Sequence, residues 1–172
     1  SLVPGKSGLW LNPDGEPVGP APMVTGFDTR EMCRQVAAYP YSWQVLNWKI
    51  AAKELAISGS QHNPRIVNHQ LFRFLLDLLT ANDHLVRQMH EESTEFVTAE
   101  TVDELARKMN ELVKGDRIDP RRLEHEVRAY DEALMDPAKR AGHSGIQRIL
   151  ELRQWRGDRL RTCNLQPVLD RK

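Results

Sequence analysis

The stretch that most limits what this chain can fold into runs from Glu95 to Leu134, EFVTAETVDELARKMNELVKGDRIDPRRLEHEVRAYDEAL. Phe96 and Val97 are strand formers, so Glu95 to Ala99 predicts a short strand. Thr101 and Glu104 then stand at capping-box spacing: the hydroxyl can accept from the Glu104 N–H, and the carboxylate can reach back to the Thr101 N–H. Leu105, Ala106, Met109, Leu112 and Val113 follow at helical spacing as one apolar stripe. Gly115 breaks that helix. Asp119-Pro120 opens the next, with Asp as cap and Pro at the first helical position, where it forfeits no hydrogen bond. Leu123, Val127, Tyr130 and Leu134 form its inner face, and Arg121, Arg122, Glu124, Glu126 and Arg128 lie mostly on the solvated side. A strand and two capped helices joined by a tight connection are the frame.

The rest of the chain fits around that frame as an α+β fold: a small mixed or antiparallel sheet packed with about five to six helices. Leu9 to Asn12 reads as a strand, Pro13-Asp14-Gly15 as a turn and Glu16 to Val18 as a short return. Pro17, Pro20 and Pro22 confine that part of the chain to an edge or a loop. Asp28 to Ala38 is a helix with Asp28 and Glu31 at capping-box spacing and Met32, Val36 and Cys33 turned inward. Tyr41 to Ile50 begins as a strand and turns into a helix through Lys53, Glu54 and Leu55. Ser58-Gly59-Ser60 is a break. Ile66 to Leu79 is a helix with Leu71, Phe74, Leu75 and Leu78 inside, and Asn82 or Asp83 caps a shorter helix to about Glu92. Asp136-Pro137 ends the second helix of the frame, Lys139 to Gly145 is a polar loop, Gly145 to Trp155 is a last helix, and Arg161 to Leu169 is extended. At 172 residues the chain is expected to be a single domain, 1–172. It opens on a strand without a lead-in and stops abruptly at Lys172, which suggests a domain cut from something larger.

Composition removes several classes. Lys plus Arg is 24 and Asp plus Glu is 24, so charge balance gives no reason to expect nucleic acid or an anionic membrane surface as partner. The longest apolar run, Leu71 to Leu79, is interrupted by Arg73 and Asp77 and falls far short of the roughly 20 residues of a membrane span. Cys33 and Cys163 stand in no motif, and no leader sequence precedes the first strand, so a reducing, cytoplasmic setting is expected. His62, His69, His84, His90, His125 and His143 form no ligand-spaced set, so no metal site is expected. There is no Gly-x-Ser-x-Gly, and the closeness of Asp136, His143 and Ser144 is what any polar loop offers. None of the ten glycines falls in a Gly-x-Gly, so neither a dinucleotide fingerprint nor a P-loop is present.

The strongest candidate for a binding site is Tyr41-Ser42-Trp43 together with Ser58-Gly59-Ser60-Gln61-His62-Asn63-Pro64-Arg65. It gathers a phenol, hydroxyls, an imidazole and a guanidinium beside breaks in regular structure, where binding groups tend to sit. Ordinary loop polarity would look the same. Trp10, Trp43, Trp48 and Trp155 are either core anchors with a docking face or the lining of an apolar pocket.

The frame resembles the substrate (cap) domain of the fumarate reductase/succinate dehydrogenase-type flavoproteins, which include the 3-ketosteroid dehydrogenases. The matching pieces are Thr101-Val102-Asp103-Glu104-Leu105-Ala106 and the Asp-Pro-started helix from Asp119 to Asp131, which ends in a Tyr and a small polar residue. Gly5-Lys6-Ser7-Gly8-Leu9-Trp10-Leu11-Asn12-Pro13-Asp14-Gly15 is similar to the segment that leads into that domain. Trp43-x-Val45-Leu46-Asn47-x-Lys49-Ile50, Ser58-Gly59-Ser60, and Gly157-Asp158-Arg159-Leu160 look like a bacterial subgroup of FAD-binding dehydrogenases. Two departures bear on substrate. Pro4 stands where fumarate reductases carry a catalytic Arg, and Glu16-Pro17-Val18 replaces Arg-Phe and a Glu. A dicarboxylate needs fixed cationic partners, so their loss leaves room for a larger, more apolar substrate such as a steroid-like ketone.

The resemblance implies a domain of a parent FAD-dependent dehydrogenase that moves hydride between a substrate C–H and flavin N5. The FAD would be held by an FAD-binding domain of the same parent chain, and the isolated chain would be inactive. Tyr41 and His62 are then the candidate proton carriers, and Trp43, Ser60 and Arg65 the candidate contacts to a small apolar or ketone-bearing substrate. An exposed docking face would let the isolated domain self-associate. The competing class is a non-enzymatic, helix-rich interaction module whose tryptophans dock a partner.

Overall fold

The structure, a computed structural model, describes residues 7–18, 29–55, 68–70, 72–73, 83–152 and 166–169. Among these it is α+β, with seven α-helices and a two-stranded antiparallel sheet. The strands are β1 (Leu9–Leu11) and β2 (Trp43–Val45), paired Leu9 to Val45, Trp10 to Gln44 and Leu11 to Trp43. The return after the first turn is reduced to a single bridge, Leu11 to Pro17, and a bond from Val18 N–H to the Trp10 carbonyl. Proline lacks the N–H that would extend this pairing. Val18 is nevertheless buried.

The helices are α1 (Thr29–Val36), α2 (Trp48–Ile50) continuing into a π-helical turn (Ala51–Leu55), α3 (Asp83–Glu92), α4 (Val102–Val113), α5 (Pro120–Met135), α6 (Pro137–Ala141) and α7 (Ser144–Leu152). The α4–α5 pair follows the sequence grammar closely. Thr101 Oγ1 accepts from Glu104 N–H at 3.2 Å. The second half of the capping box differs: the Glu104 carboxylate takes the Glu100 N–H at 3.1 Å, one residue earlier than the standard partner. α4 ends with Lys114, not Gly115, in the left-handed region at φ 53°. Asp119 caps α5 by accepting from Arg121 N–H, with Pro120 in the first turn.

Leu123, Val127, Tyr130 and Leu134 are buried as expected, and they meet Ala106, Met109, Ile118, Ile146, Leu9, Leu11 and Val45 in the main core. Burying each large aliphatic side chain is worth about 1.5–3 kcal/mol. Leu112 is exposed, because it sits at the margin of a stripe centred on Ala106 and Met109. Cys33 is also exposed, so the inner face expected for α1 does not include it. A second, smaller cluster joins Ala51 and Ala52 of the π-helical turn to Leu85 and Val86 of α3.

Two further sequence expectations are corrected. Residues 96–99 are irregular chain, not a strand. Val97 packs on the core, and the Thr98 carbonyl accepts from Lys108 Nζ at 2.6 Å, a side-chain bond in place of a strand ladder. Lys139 to Gly145 is not all loop, because Asp136 caps α6 through Ala138 N–H and Pro137 starts it. Residues 166–169, within the stretch expected to be extended, join neither helix nor strand, and their backbone is bound by side chains. The helix expected over 66–79 lies largely outside the described residues, as do Asp28, Ser58 to Ser60 and Trp155.

Candidate functional site

Tyr41-Ser42-Trp43 leads into β2 from the side where the Asn12–Glu16 turn lies against the start of α5. Residues two apart in extended chain share a side, and the Tyr41 and Trp43 rings meet edge to face at 5.5 Å between centroids. Ser42, between them, accepts from Trp10 Nε1 at 2.8 Å across the sheet. That bond explains why a half-buried indole on β1 and a hydroxyl just before β2 stand together. Trp43 packs on the main core, yet its Nε1–H is buried without an acceptor. Such an orphan donor costs about 1–3 kcal/mol.

The turn beside this group is built by Asn12, whose Oδ1 accepts from the N–H groups of Asp14 and Glu16. Gly15 sits at φ 79°, a conformation side chains resist. Two ion pairs tie the turn to the helix pair: Asp14 binds Arg117 in a two-bonded fork at 2.6 and 2.8 Å, and Glu16 binds Arg122. The Arg117 hydrogen bond holds the Asp14 carboxyl below its usual range. In return Asp14 holds the Arg117 guanidinium above its own, with a small contribution from the nearby Tyr41 phenol. Both groups are exposed, so the fork orients more than it stabilises.

A second polar group is buried between the two apolar clusters. Glu54, in the π-helical turn, accepts from Ser7 N–H at 2.8 Å and Ser7 Oγ at 2.6 Å. Tyr130 Oη donates to the Ser7 carbonyl at 3.2 Å. Asp131, 0% exposed, accepts from Val168 N–H at 2.7 Å and Leu169 N–H at 2.8 Å. Sequence reasoning places Tyr130 on an inner face but misses the buried roles of Glu54, Asp131 and Ser7. Asp131 lies four residues after Val127 on the apolar stripe, and Glu54 four after Ile50, so a carboxylate in an inward position is the available signal. Ser7 gives none.

Of the expected site residues, the structure places Tyr41 and Trp43 in contact. Ser60, His62 and Arg65 lie outside the described residues. Trp48, by contrast, lies at the surface of α2. Its Nε1 donates to Asp83, the Arg87 guanidinium lies 5.2 Å from its ring and His90 meets its edge. Among the described residues no three of His, Cys, Asp and Glu are grouped to hold a metal ion. No described helix is long and apolar enough to cross a membrane.

Known proteins resemble this chain along most of its length. It is 32% identical over 161 residues to a KsdD-like steroid dehydrogenase of Mycobacterium tuberculosis (strain CDC 1551 / Oshkosh), covering 92% of this chain and 28% of that protein. It is 30% identical over 162 residues to a KsdD-like steroid dehydrogenase of Mycolicibacterium smegmatis, covering 92% of this chain and 29% of that protein. A second M. tuberculosis strain, H37Rv, has a protein of the same description at 32% identity over 161 residues. The chain is homologous to part of the KsdD-like steroid dehydrogenases. It spans under a third of the length of these relatives. No protein-family model and no solved structure matches it.

The flavin that the family resemblance implies has no cradle in the described residues. β1 runs into the Asn12 turn and pairs antiparallel with β2, with no glycine-rich turn opening onto a helix N-terminus. Among the described residues no turn of that kind is available to a dinucleotide pyrophosphate.

Proposed function

We propose that this chain is the substrate-binding (cap) domain, residues 1–172, of an FAD-dependent dehydrogenase that acts on an apolar, ketone-bearing substrate of the steroid type. The observation that carries the proposal is the similarity to KsdD-like steroid dehydrogenases over 92% of the chain. The short span relative to those proteins supports a parent in which another part of the polypeptide holds the flavin. Bound there, the flavin would supply the hydride acceptor.

The contribution of this chain is binding, orientation and exclusion of water. Tyr41, whose ring meets Trp43 edge to face, offers a phenolic O–H and is the candidate proton carrier. Trp43 offers an apolar ring and an indole N–H that a substrate oxygen would satisfy. His62 is the second candidate for proton transfer, and Ser60 and Arg65 are candidate contacts to a carbonyl. The Glu16-Pro17-Val18 sequence supports an apolar substrate over a dicarboxylate: none of the three is a cation, Val18 is turned into the core, and the neighbouring cation Arg122 is paired with Glu16.

The test is steady-state turnover of the full-length protein with a 3-ketosteroid and, separately, with succinate. Turnover of the ketosteroid alone is expected. Turnover of succinate alone would reverse the substrate assignment. Tyr41→Phe is expected to lower kcat by about 100-fold or more if the phenol carries the proton; unchanged turnover removes Tyr41 from the mechanism.

A further inference from the structure

Residues 166–169 have no helix or strand to satisfy their backbone, so the question is what does. Gln166 N–H donates to Ser7 Oγ at 3.3 Å, the Pro167 carbonyl accepts from Asn47 Nδ2 at 2.9 Å, and the N–H groups of Val168 and Leu169 go to Asp131. Ser7, 159 positions from Gln166 in sequence, is held in the same place. Glu54 takes its N–H and hydroxyl, and Tyr130 reaches its carbonyl. Ser7 Oγ thus donates to Glu54 and accepts from Gln166. Asn47 also caps α2 through Ile50 N–H, so the same side chain ties the second apolar cluster to this segment.

Two features make the set act together. Glu54 and Asp131 are 5% and 0% exposed, and a buried carboxylate is tolerated only while its hydrogen bonds are made. The anchored residues are also consecutive in the chain. The first N–H depends on Ser7, which Glu54 fixes, and the last two depend on Asp131. Four consecutive residues cannot keep one half ordered at full strength while the other half is released.

We infer that Glu54 and Asp131 form a two-carboxylate latch through which the segment at Ser7 and the segment 166–169 open and close as one unit. The latch stands on this geometry alone.

Hydrogen exchange of the 172-residue chain, read at single amides, tests it without flavin, so the outcome is independent of the dehydrogenase proposal. In the unaltered chain Ser7, Val168 and Leu169 are expected to be protected. Asp131→Ala should speed exchange about tenfold or more at Val168 and Leu169, and also at Ser7, whose described hydrogen bonds go to other residues. Glu54→Gln should do the same at Ser7 and also at Val168 and Leu169. Met109 and Val127 should keep their protection, and Asp116→Ala, on the surface, should change nothing. Faster exchange confined to the segment each side chain contacts overturns the latch, and so does free exchange of Val168 in the unaltered chain. Should Asp131→Ala also expose Met109 and Val127, the milder Asp131→Asn decides between the same two patterns.

Discussion

Asn110 closes the connection between α4 and α5 with two hydrogen bonds to one residue's backbone. Its Oδ1 accepts from Ile118 N–H at 3.0 Å and its Nδ2 donates to the Ile118 carbonyl at 2.9 Å. Ile118 is 2% exposed, so little water is available to replace either bond. Asn110→Ala removes both and leaves a buried donor and a buried acceptor, each costing about 1–3 kcal/mol. Alanine is the better helix former by roughly 0.5 kcal/mol, which opposes the loss. Partial relaxation of the connection offsets more, and the net expectation is a destabilisation of about 2–3 kcal/mol. Asn110→Asp keeps the acceptor and sets a second oxygen against the Ile118 carbonyl, so it should fall between the other two. Urea unfolding followed by tryptophan fluorescence gives the order: Asn, then Asp, then Ala. An Asn110→Ala chain as stable as the original, or more stable as helix propensity alone would have it, refutes the reasoning.

Three further outcomes can be checked in the same assay. Lys114→Gly should stabilise by about 0.5–1 kcal/mol, because Lys114 caps α4 at φ 53°, where a Cβ is penalised; a loss of stability would show that the lysine side chain matters more than its backbone. Gly15→Ala should cost about 1–2 kcal/mol at φ 79°, and its Cβ would also stand 3.4 Å from Ile118 Cδ1; Gly15→Asn should recover part of this. His143, half-buried against Tyr130, accepts from Ile146 N–H through Nδ1, which places its proton on Nε2 and requires the neutral ring. Burial depresses its pKa below the usual value of about 6.5. Above that value both states are neutral and the contribution is whole. As pH falls from about 6.5 towards the folded pKa the unfolded chain takes up the proton first, and stability falls. His143→Gln should flatten that part of the pH profile, and an unaltered profile would remove His143 as its source.

The parts of the fold legible in the sequence are those fixed by local chemistry. Thr101, Asp119-Pro120 and the Leu123–Val127–Tyr130–Leu134 stripe act within a turn or two of chain, and α4 and α5 form where they predict. At Asp136-Pro137 the same grammar serves twice, ending α5 and starting α6, and only the first role is plain from the sequence. The strand expected at Glu95 to Ala99 depended on finding a partner across space, and Lys108 met Thr98 instead. Likewise β1 had two possible partners. Pro17, without an N–H, lost to β2. At the candidate site, adjacency along the strand was enough to bring Tyr41 to Trp43. The Glu54 and Asp131 positions could be suspected from carboxylates on inward faces, but their partners, Ser7 and residues 168–169, are 47 and 37–38 positions away in sequence, respectively. No periodicity reports a contact of that range.

On the proposed function, this chain serves a flavin-dependent dehydrogenase. The visible absorption spectrum of the purified full-length gene product, recorded before and after anaerobic addition of a 3-ketosteroid, tests it most directly. Flavin bands that the ketosteroid bleaches are the predicted result. A folded, colourless product that FAD does not stabilise would contradict the account.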